Sequence, residues 1–337
     1  MVGRVDTLQR NHAVFGFPYA VVKKYGDDEA GKQAALVTYY GFLSVFPILL
    51  LVVTVATRVL VDNVELRQQV IDAVVPADLR DAVNSAVLTL PTSGLPLIIG
   101  IVGLLLTGTG VVFSAYDALN HLAGVPHRDR FSFVPRYLRA LAMLVVTLIG
   151  AFGVGVLSVL AGSLPDIAGA GRIAGLVGAA LVVFVVLVLA AKLLVARPVA
   201  LSAVWPAAAL GSVTVALMLV LGGQLLTYLV SRSGPLYGSF ATVVGLFSLI
   251  YLVSQALMYS AEVALVRRRR AWPRALDASR PTAADLRAYT ALAREQERTP
   301  GARVSWRYSP AATAAGDDSD TGAKTGSAGG STGQSGA

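Results

Sequence analysis

The chain has 337 residues, 55% of them hydrophobic and only 14% charged, with no cysteine and a net charge of +8; its mean hydropathy is +0.65. A soluble domain carries about 25% charged residues, so a soluble enzyme, a secreted disulfide scaffold and a disordered chain are excluded. Without cysteine there is neither a disulfide nor a thiolate metal site. Six stretches contain no Asp, Glu, Lys or Arg: 33–57, 82–116, 140–165, 173–191, 198–231 and 233–261. Each reaches the roughly 18–20 residues that a helix needs to cross hydrocarbon. The class is therefore all-α: a polytopic membrane protein with a six-helix transmembrane bundle and a short amphipathic helical outer loop.

In chain order, residues 1–33 form a cytoplasmic N-terminal segment. Its apolar run AVFGFPYAVV (13–22) is short and is interrupted by Gly16 and Pro18. That is not the core of a secretory signal, and the segment is expected to rest on the membrane face. The six-span domain is expected over 34–266. Span one runs from about Ala34 to Leu60 with Pro47 inside it, where proline should kink a helix. The connection 62–94 is acidic and divided by Pro76; beyond it Leu79, Val83, Ala86, Val87 and Leu90 recur at helical spacing. Two short amphipathic helices on the outer surface are expected there. Span two covers about Leu95–Leu119, span three Tyr137–Leu164, span four Ile173–Val195, span five Ala203–Leu229 and span six Tyr237–Val266. Residues 267–298 make a cytoplasmic basic and helical segment, in which Thr282 and Asp285 have capping-box spacing. Residues 299–337 are expected to be a disordered tail, since 22 of the 27 residues in 311–337 are Gly, Ser, Thr or Ala and cannot bury a core.

Lysine and arginine fall unequally on the two sides of these spans. One side carries 16, including Lys23, Lys24, Arg128, Arg136, Arg197 and the run Arg267–Arg270; the other carries 5: Arg58, Arg67, Arg80, Arg172 and Arg232. The positive-inside rule places both termini in the cytoplasm, and an even number of spans requires both on one side. The expected location is the cell (cytoplasmic) membrane. The expected partners are membrane lipids with anionic headgroups on the cytoplasmic face, not nucleic acid, and an oligomer is compatible with the pattern. Arg267, Arg268, Arg269 and Arg270 are candidates for headgroup contact and for fixing orientation.

Little chemistry of the enzymatic kind is present. His12, His121 and His127 are the only histidines, none at a metal-ligand interval from a carboxylate or second histidine on a common helix. There is no nucleophile elbow, phosphate loop or dinucleotide fingerprint. No metal, no cofactor and no catalytic residue is expected. Polar residues inside the spans are more informative. Tyr40, Ser44, Pro47, Thr54 and Arg58 share a narrow arc of span one at about 100° per residue. Gly103, Thr107, Gly110, Ser114 and His121 do so in span two, with Asp117 at the edge. Ser248, Tyr251, Gln255, Tyr259 and Glu262 form a third stripe in span six. Polar groups avoid lipid, so the stripes should face one another. Two readings stay open, a polar cavity or pathway and interhelical hydrogen-bond glue. On the first reading, Tyr40, Ser44, Asp117 and Glu262 line one cavity. On the second, Glu262 pairs with the arginine run and fixes the end of span six.

Particular residues carry a family resemblance: Ala34-Ala35, Thr38-Tyr39-Tyr40, Leu43-Ser44 and Pro47 in span one, Asp117-Ala118-Leu119-Asn120 at the end of span two, Trp205-Pro206 and Gly211 in span five, Tyr237-Gly238-Ser239 and Ala261-Glu262 in span six. With these the chain resembles the YihY/BrkB family of bacterial inner-membrane proteins over about residues 20–270. It departs from the family pattern at Ile250 and Ser260. The resemblance adds Asn120 to the candidates and implies six spans with cytoplasmic termini. The roles it implies are envelope lipid or lipopolysaccharide handling, ion transport or serum resistance.

The functional expectation is a non-enzymatic protein of envelope maintenance that moves or positions a lipid-like or ionic solute without ATP hydrolysis; the alternative is a non-transporting scaffold for envelope proteins. Transport expects a solvent-reachable cavity at the stripes, and a scaffold expects them packed. For topology the expectation is direct: reporter fusions after Lys32 and after Arg274 both read cytoplasmic. A periplasmic signal from either contradicts six spans.

Overall fold

The computed structural model describes Asp6, residues 13–62, Glu65, and residues 94–163, 170–232, 235–277 and 280–306. Among these residues there are eight α-helices and no strand. They are α1 (Ala13–Asp27), α2 (Ala30–Asp62), α3 (Leu95–Leu122), α4 (Phe133–Ser163), α5 (Ala170–Leu194), α6 (Leu201–Arg232), α7 (Pro235–Arg269) and α8 (Ala283–Glu295). The outer-surface helices expected over 62–94 lie, apart from the edges of that connection, outside the described residues, as does the tail beyond Trp306.

Helices α2 to α7 each hold a stretch long and apolar enough to cross a membrane. In hydrocarbon every backbone N–H and C=O must be bonded within its own segment, which a helix achieves. Large apolar side chains such as Leu106, Phe152 and Phe240 point outward and are exposed, as lipid contact requires. The fold is that of an all-α polytopic membrane protein. Each span packs on the next in sequence, and α7 returns to pack on α2, so the six close into a ring. Helix α3 also touches α5 and α7 across it.

The α2–α3 contact shows how the first two stripes meet. A Cβ at Gly103 would lie 3.2 Å from Pro47 Cβ, and a Cβ at Gly110 would collide with the Tyr40 ring. The stripes face each other, and they do so in tight contact rather than across a void. Their hydroxyls turn back on their own helices. Ser44 donates to Tyr40 O at 2.8 Å, Thr54 to Leu50 O at 2.6 Å and Thr107 to Gly103 O at 2.9 Å. Such i−4 bonds satisfy a hydroxyl in apolar surroundings without a neighbour. In these cases neither the pathway nor the interhelical glue is needed to account for them.

Two helices end in the same way at one end of the bundle. At the end of α3, Val125 N–H bonds Asn120 O at 2.9 Å and Gly124 N–H bonds His121 O at 2.8 Å, with Gly124 at φ 55°. At the end of α7, Ala271 N–H bonds Val266 O at 3.0 Å and Arg270 N–H bonds Arg267 O at 3.3 Å, with Arg270 at φ 47°. Both are Schellman motifs. Helix α1 packs on this end through Ala20 and Val21 against Val266. Helix α8 joins it, opened by the Thr282–Asp285 capping box expected from sequence. Residues 299–306, counted with the tail on composition, carry contacts here. Arg128 Nη1 donates to Ala302 O at 3.0 Å, and the Trp306 ring lies tilted against Tyr289, with centroids 5.4 Å apart.

The close approach of α2 to α3 makes a paired test. Gly110→Ala forces the Tyr40 ring to move, an overpacking cost of about 1–3 kcal/mol, and lowers the melting temperature in detergent. Gly155→Ala adds a Cβ with nothing within 4 Å and gains helix propensity, so it leaves the melting temperature unchanged or higher. Equal losses from both would contradict the packing described.

Candidate functional site

The end of the bundle that carries α1 and α8 is built from buried ion pairs. Its centre is Lys24 on α1. The ammonium donates to Asp28 Oδ2 and to Leu122 O at 3.3 Å, and it lies 2.8 Å from Glu262 Oε2 as an ion pair. Glu262, on α7, is fully buried, and Lys24 and Asp28 are nearly so. Leu122 O belongs to the last turn of α3, where partial negative charge gathers and a cation is favoured. One ammonium thus ties α1, α3 and α7 together. Glu262 therefore pairs with Lys24, from the other end of the sequence, and not with the arginine run.

A second knot lies beside it. His121 places Nδ1 2.8 Å from both Glu295 oxygens and Nε2 2.8 Å from Asp28 O. Arg130 Nη2 is 2.5 Å from Glu295 Oε1, and His127 Nδ1 is 2.7 Å from Glu295 O. A third knot fixes α8. Arg274 is fully buried, with Nε 2.6 Å from Asp285 Oδ1 and Nη2 2.5 Å from Asp27 Oδ2; Lys23 reaches Asp285 Oδ1 at 3.0 Å. Burial alone would raise the Asp285 carboxyl. The Arg274 guanidinium, the N–H groups of Ala275 and Thr282, and Lys23 outweigh it and hold the carboxyl well below the usual carboxylate range. Asp285 is thus an anion at neutral pH, and it serves both the capping box and the ion pairs.

The expected site residues do not gather into one cavity. Tyr40, Ser44 and Pro47 are in the α2–α3 contact. Asp117 is half-exposed and faces α4, 2.8 Å from Arg136 Nη2 and 3.8 Å from Arg130 Nη1. Asn120 is fully buried and joins α3 to the end of α5, donating to Leu194 O and accepting from Ala196 N–H, both at 2.8 Å. Ser248 is exposed. Gln255 accepts from the Tyr25 hydroxyl, Tyr259 stacks on Tyr25 at 4.0 Å, and Tyr251 packs in the same cluster. Burial pushes the Tyr25 hydroxyl up to about 12, so it remains a donor. The lower part of the span-six stripe thus meets α1, where Gln255 and Glu262 find polar partners and Tyr259 a stacked ring. Of the arginine run, all four members are exposed; Arg269 donates to Ala123 O.

Two cavities open at this end instead. One, of about 630 Å³, is a cleft between α3, α5, α6 and α7. Its walls include nine alanines, among them Ala190, Ala207, Ala261 and Ala264. A leucine at any of these would take up the space, so the cleft follows from the small residues. At its mouth stand Arg197, Arg268 and Arg269. The other, of about 1140 Å³, lies between α1, α8 and residues 297–306, and its lining includes Lys24 and seven arginines. Of the stripe residues His121 lines the larger cavity, while Tyr40, Ser44, Pro47, Asp117, Asn120, Ser248, Tyr251, Gln255 and Glu262 line neither. Among the described residues no group of His, Asp or Glu is arranged to hold a metal. Sequence reading missed Lys24, Asp28, Arg274 and Glu295 as partners. The i,i+4 spacing of Lys24 and Asp28 was one legible signal, and Arg197 was visible only as a positive charge.

Residues 21–285 match the family described as virulence factor BrkB. No curated protein and no solved structure matches the chain. The matched region runs from within α1 to the Asp285 cap of α8 and so holds all six spans and the first and third knots, while Glu295 of the second knot lies beyond it. By that match, the chain is a member of the BrkB virulence-factor family of multi-pass membrane proteins.

Proposed function

We propose that the protein binds and positions an anionic, lipid-like amphiphile from the cytoplasmic leaflet of the cell membrane, without ATP hydrolysis, in the service of envelope maintenance. The observation that carries this reading is the cleft. Its walls are apolar, it lies among membrane-crossing helices, and arginines stand only at its mouth. An acyl chain suits such walls, and guanidinium forks match phosphate oxygens. Arg197 is held by one half-exposed carboxylate, Asp129, at 2.8 Å. A pair of that kind is weak, so a phosphate can compete for the guanidinium. The orientation follows from the sixteen-to-five bias in Lys and Arg, which favours the basic end facing the cytoplasm.

The non-transporting scaffold is the second reading, and the packed α2–α3 stripes favour it over conduction along those stripes. Lipid selectivity separates the two. The protein in phosphatidylcholine nanodiscs is expected to retain phosphatidylglycerol preferentially, measured by native mass spectrometry. Arg197→Gln with Arg268→Gln abolishes the preference, and Ala207→Leu with Ala264→Leu removes bound lipid while membrane abundance holds. Equal retention of both lipids, or variants like the wild type, would leave the scaffold as the better account.

A further inference from the structure

We propose that the cleft and the basic cavity are two halves of one site, whose ligand is a lipid with an extended headgroup bearing more than one anionic group. The proposal rests on the reading of the cleft as an amphiphile site and specifies what the amphiphile must carry. The two spaces share Leu122, Arg197 and Arg269 as lining. A headgroup held at the mouth of the cleft therefore already stands at the edge of the larger cavity. That cavity, about 1140 Å³, exceeds the roughly 300–1,000 Å³ of ordinary ligand pockets and is far larger than one phosphate needs.

Its charge is the second argument. The lining holds Lys24 and seven arginines against Asp27, Asp28 and Glu297. Lys24, Arg128, Arg197 and Arg274 are committed to carboxylates. Arg269, Arg287, Arg294 and Arg303 have no carboxylate partner among the described residues; Arg269 and Arg287 donate only to backbone carbonyls. Four guanidiniums without a carboxylate in salt-bridge contact give the cavity a positive field that favours anions. Arg287 and Arg294 are seven residues apart on α8, so they stand on one face about 10 Å apart along the axis. Neither lines the cleft, where Arg197 and Arg268 stand. A headgroup with a second anionic group beyond the first reaches both.

The test uses the full chain in phosphatidylcholine nanodiscs and three probes: phosphatidylglycerol, a phosphatidylinositol bisphosphate, and free inositol trisphosphate. The bisphosphate lipid is expected to bind at least about tenfold tighter than phosphatidylglycerol, since each basic contact adds to the attraction. Arg287→Gln, Arg294→Gln and Arg303→Gln together erase that advantage and leave phosphatidylglycerol binding as it was, which also shows that the variant is folded. Equal affinity for the two lipids in the wild type, or an advantage that survives the triple variant, overturns the proposal. Inositol trisphosphate binding as tightly as the bisphosphate lipid, with the cleft filled by Ala207→Leu and Ala264→Leu, also overturns it, because the cavity would then serve a soluble polyanion. Binding of neither lipid sinks the amphiphile reading itself, and this proposal with it.

Discussion

Glu262, a carboxyl with no exposure to water, is met by a cation, and in this protein the cation comes from outside the spans. Lys24 reaches it from α1 at 2.8 Å while also serving Asp28 and the last carbonyl of α3. A buried charge without a partner is costly, so the pair dictates where α1 must lie. Once α1 is seated, Tyr25 stacks on Tyr259, Asp27 meets Arg274, and the loop before α8 is drawn in. The remaining ionic contacts of this end follow from that placement. His121 and Arg130 then hold the far end of α8 through Glu295.

Function, on this account, depends on what the ionic layer leaves open. Helices α3 and α7 both finish in Schellman turns beside the cleft. Gly124 matters twice there. Its φ of 55° is the left-handed region that glycine tolerates, and a Cβ would stand 3.1 Å from the Arg269 guanidinium. The absence of a side chain lets Arg269 lie over the end of α3 and define one wall of the mouth. Deeper in, alanines on α5, α6 and α7 keep the apolar space. Small residues in the membrane and guanidiniums at its edge together make an amphiphilic pocket.

The spans were legible because hydrocarbon imposes a length and forbids charge, and those constraints act on a single segment at a time. The facing of the first two stripes was legible for a related reason, since polar groups avoid lipid. That they would pack tightly was not, because it depends on where Gly103 and Gly110 fall opposite Pro47 and Tyr40, a matter of register between helices. The partner of Glu262 was hidden for a different reason. Lys24 lies more than two hundred residues away in sequence, and the nearby Arg267–Arg270 run offered an obvious wrong answer. Asp117 and Glu262 looked equivalent as acids at the ends of spans, yet one turns to Arg136 on α4 and the other to α1. The cleft left no periodic signal, because alanine is common throughout membrane helices.

If the Lys24–Glu262 pair organises this end of the molecule, the two side chains must be energetically coupled. The direct measurement is a double-mutant cycle in detergent with Lys24→Met, Glu262→Gln and the combined variant, read as thermal melting of the full chain. The account predicts that each single change lowers the melting temperature and that the combined variant loses much less than the sum, a coupling within the roughly 0.5–3 kcal/mol seen for residues in contact. Losses that simply add would contradict it, and would show that α1 is held in place by its apolar and aromatic contacts instead.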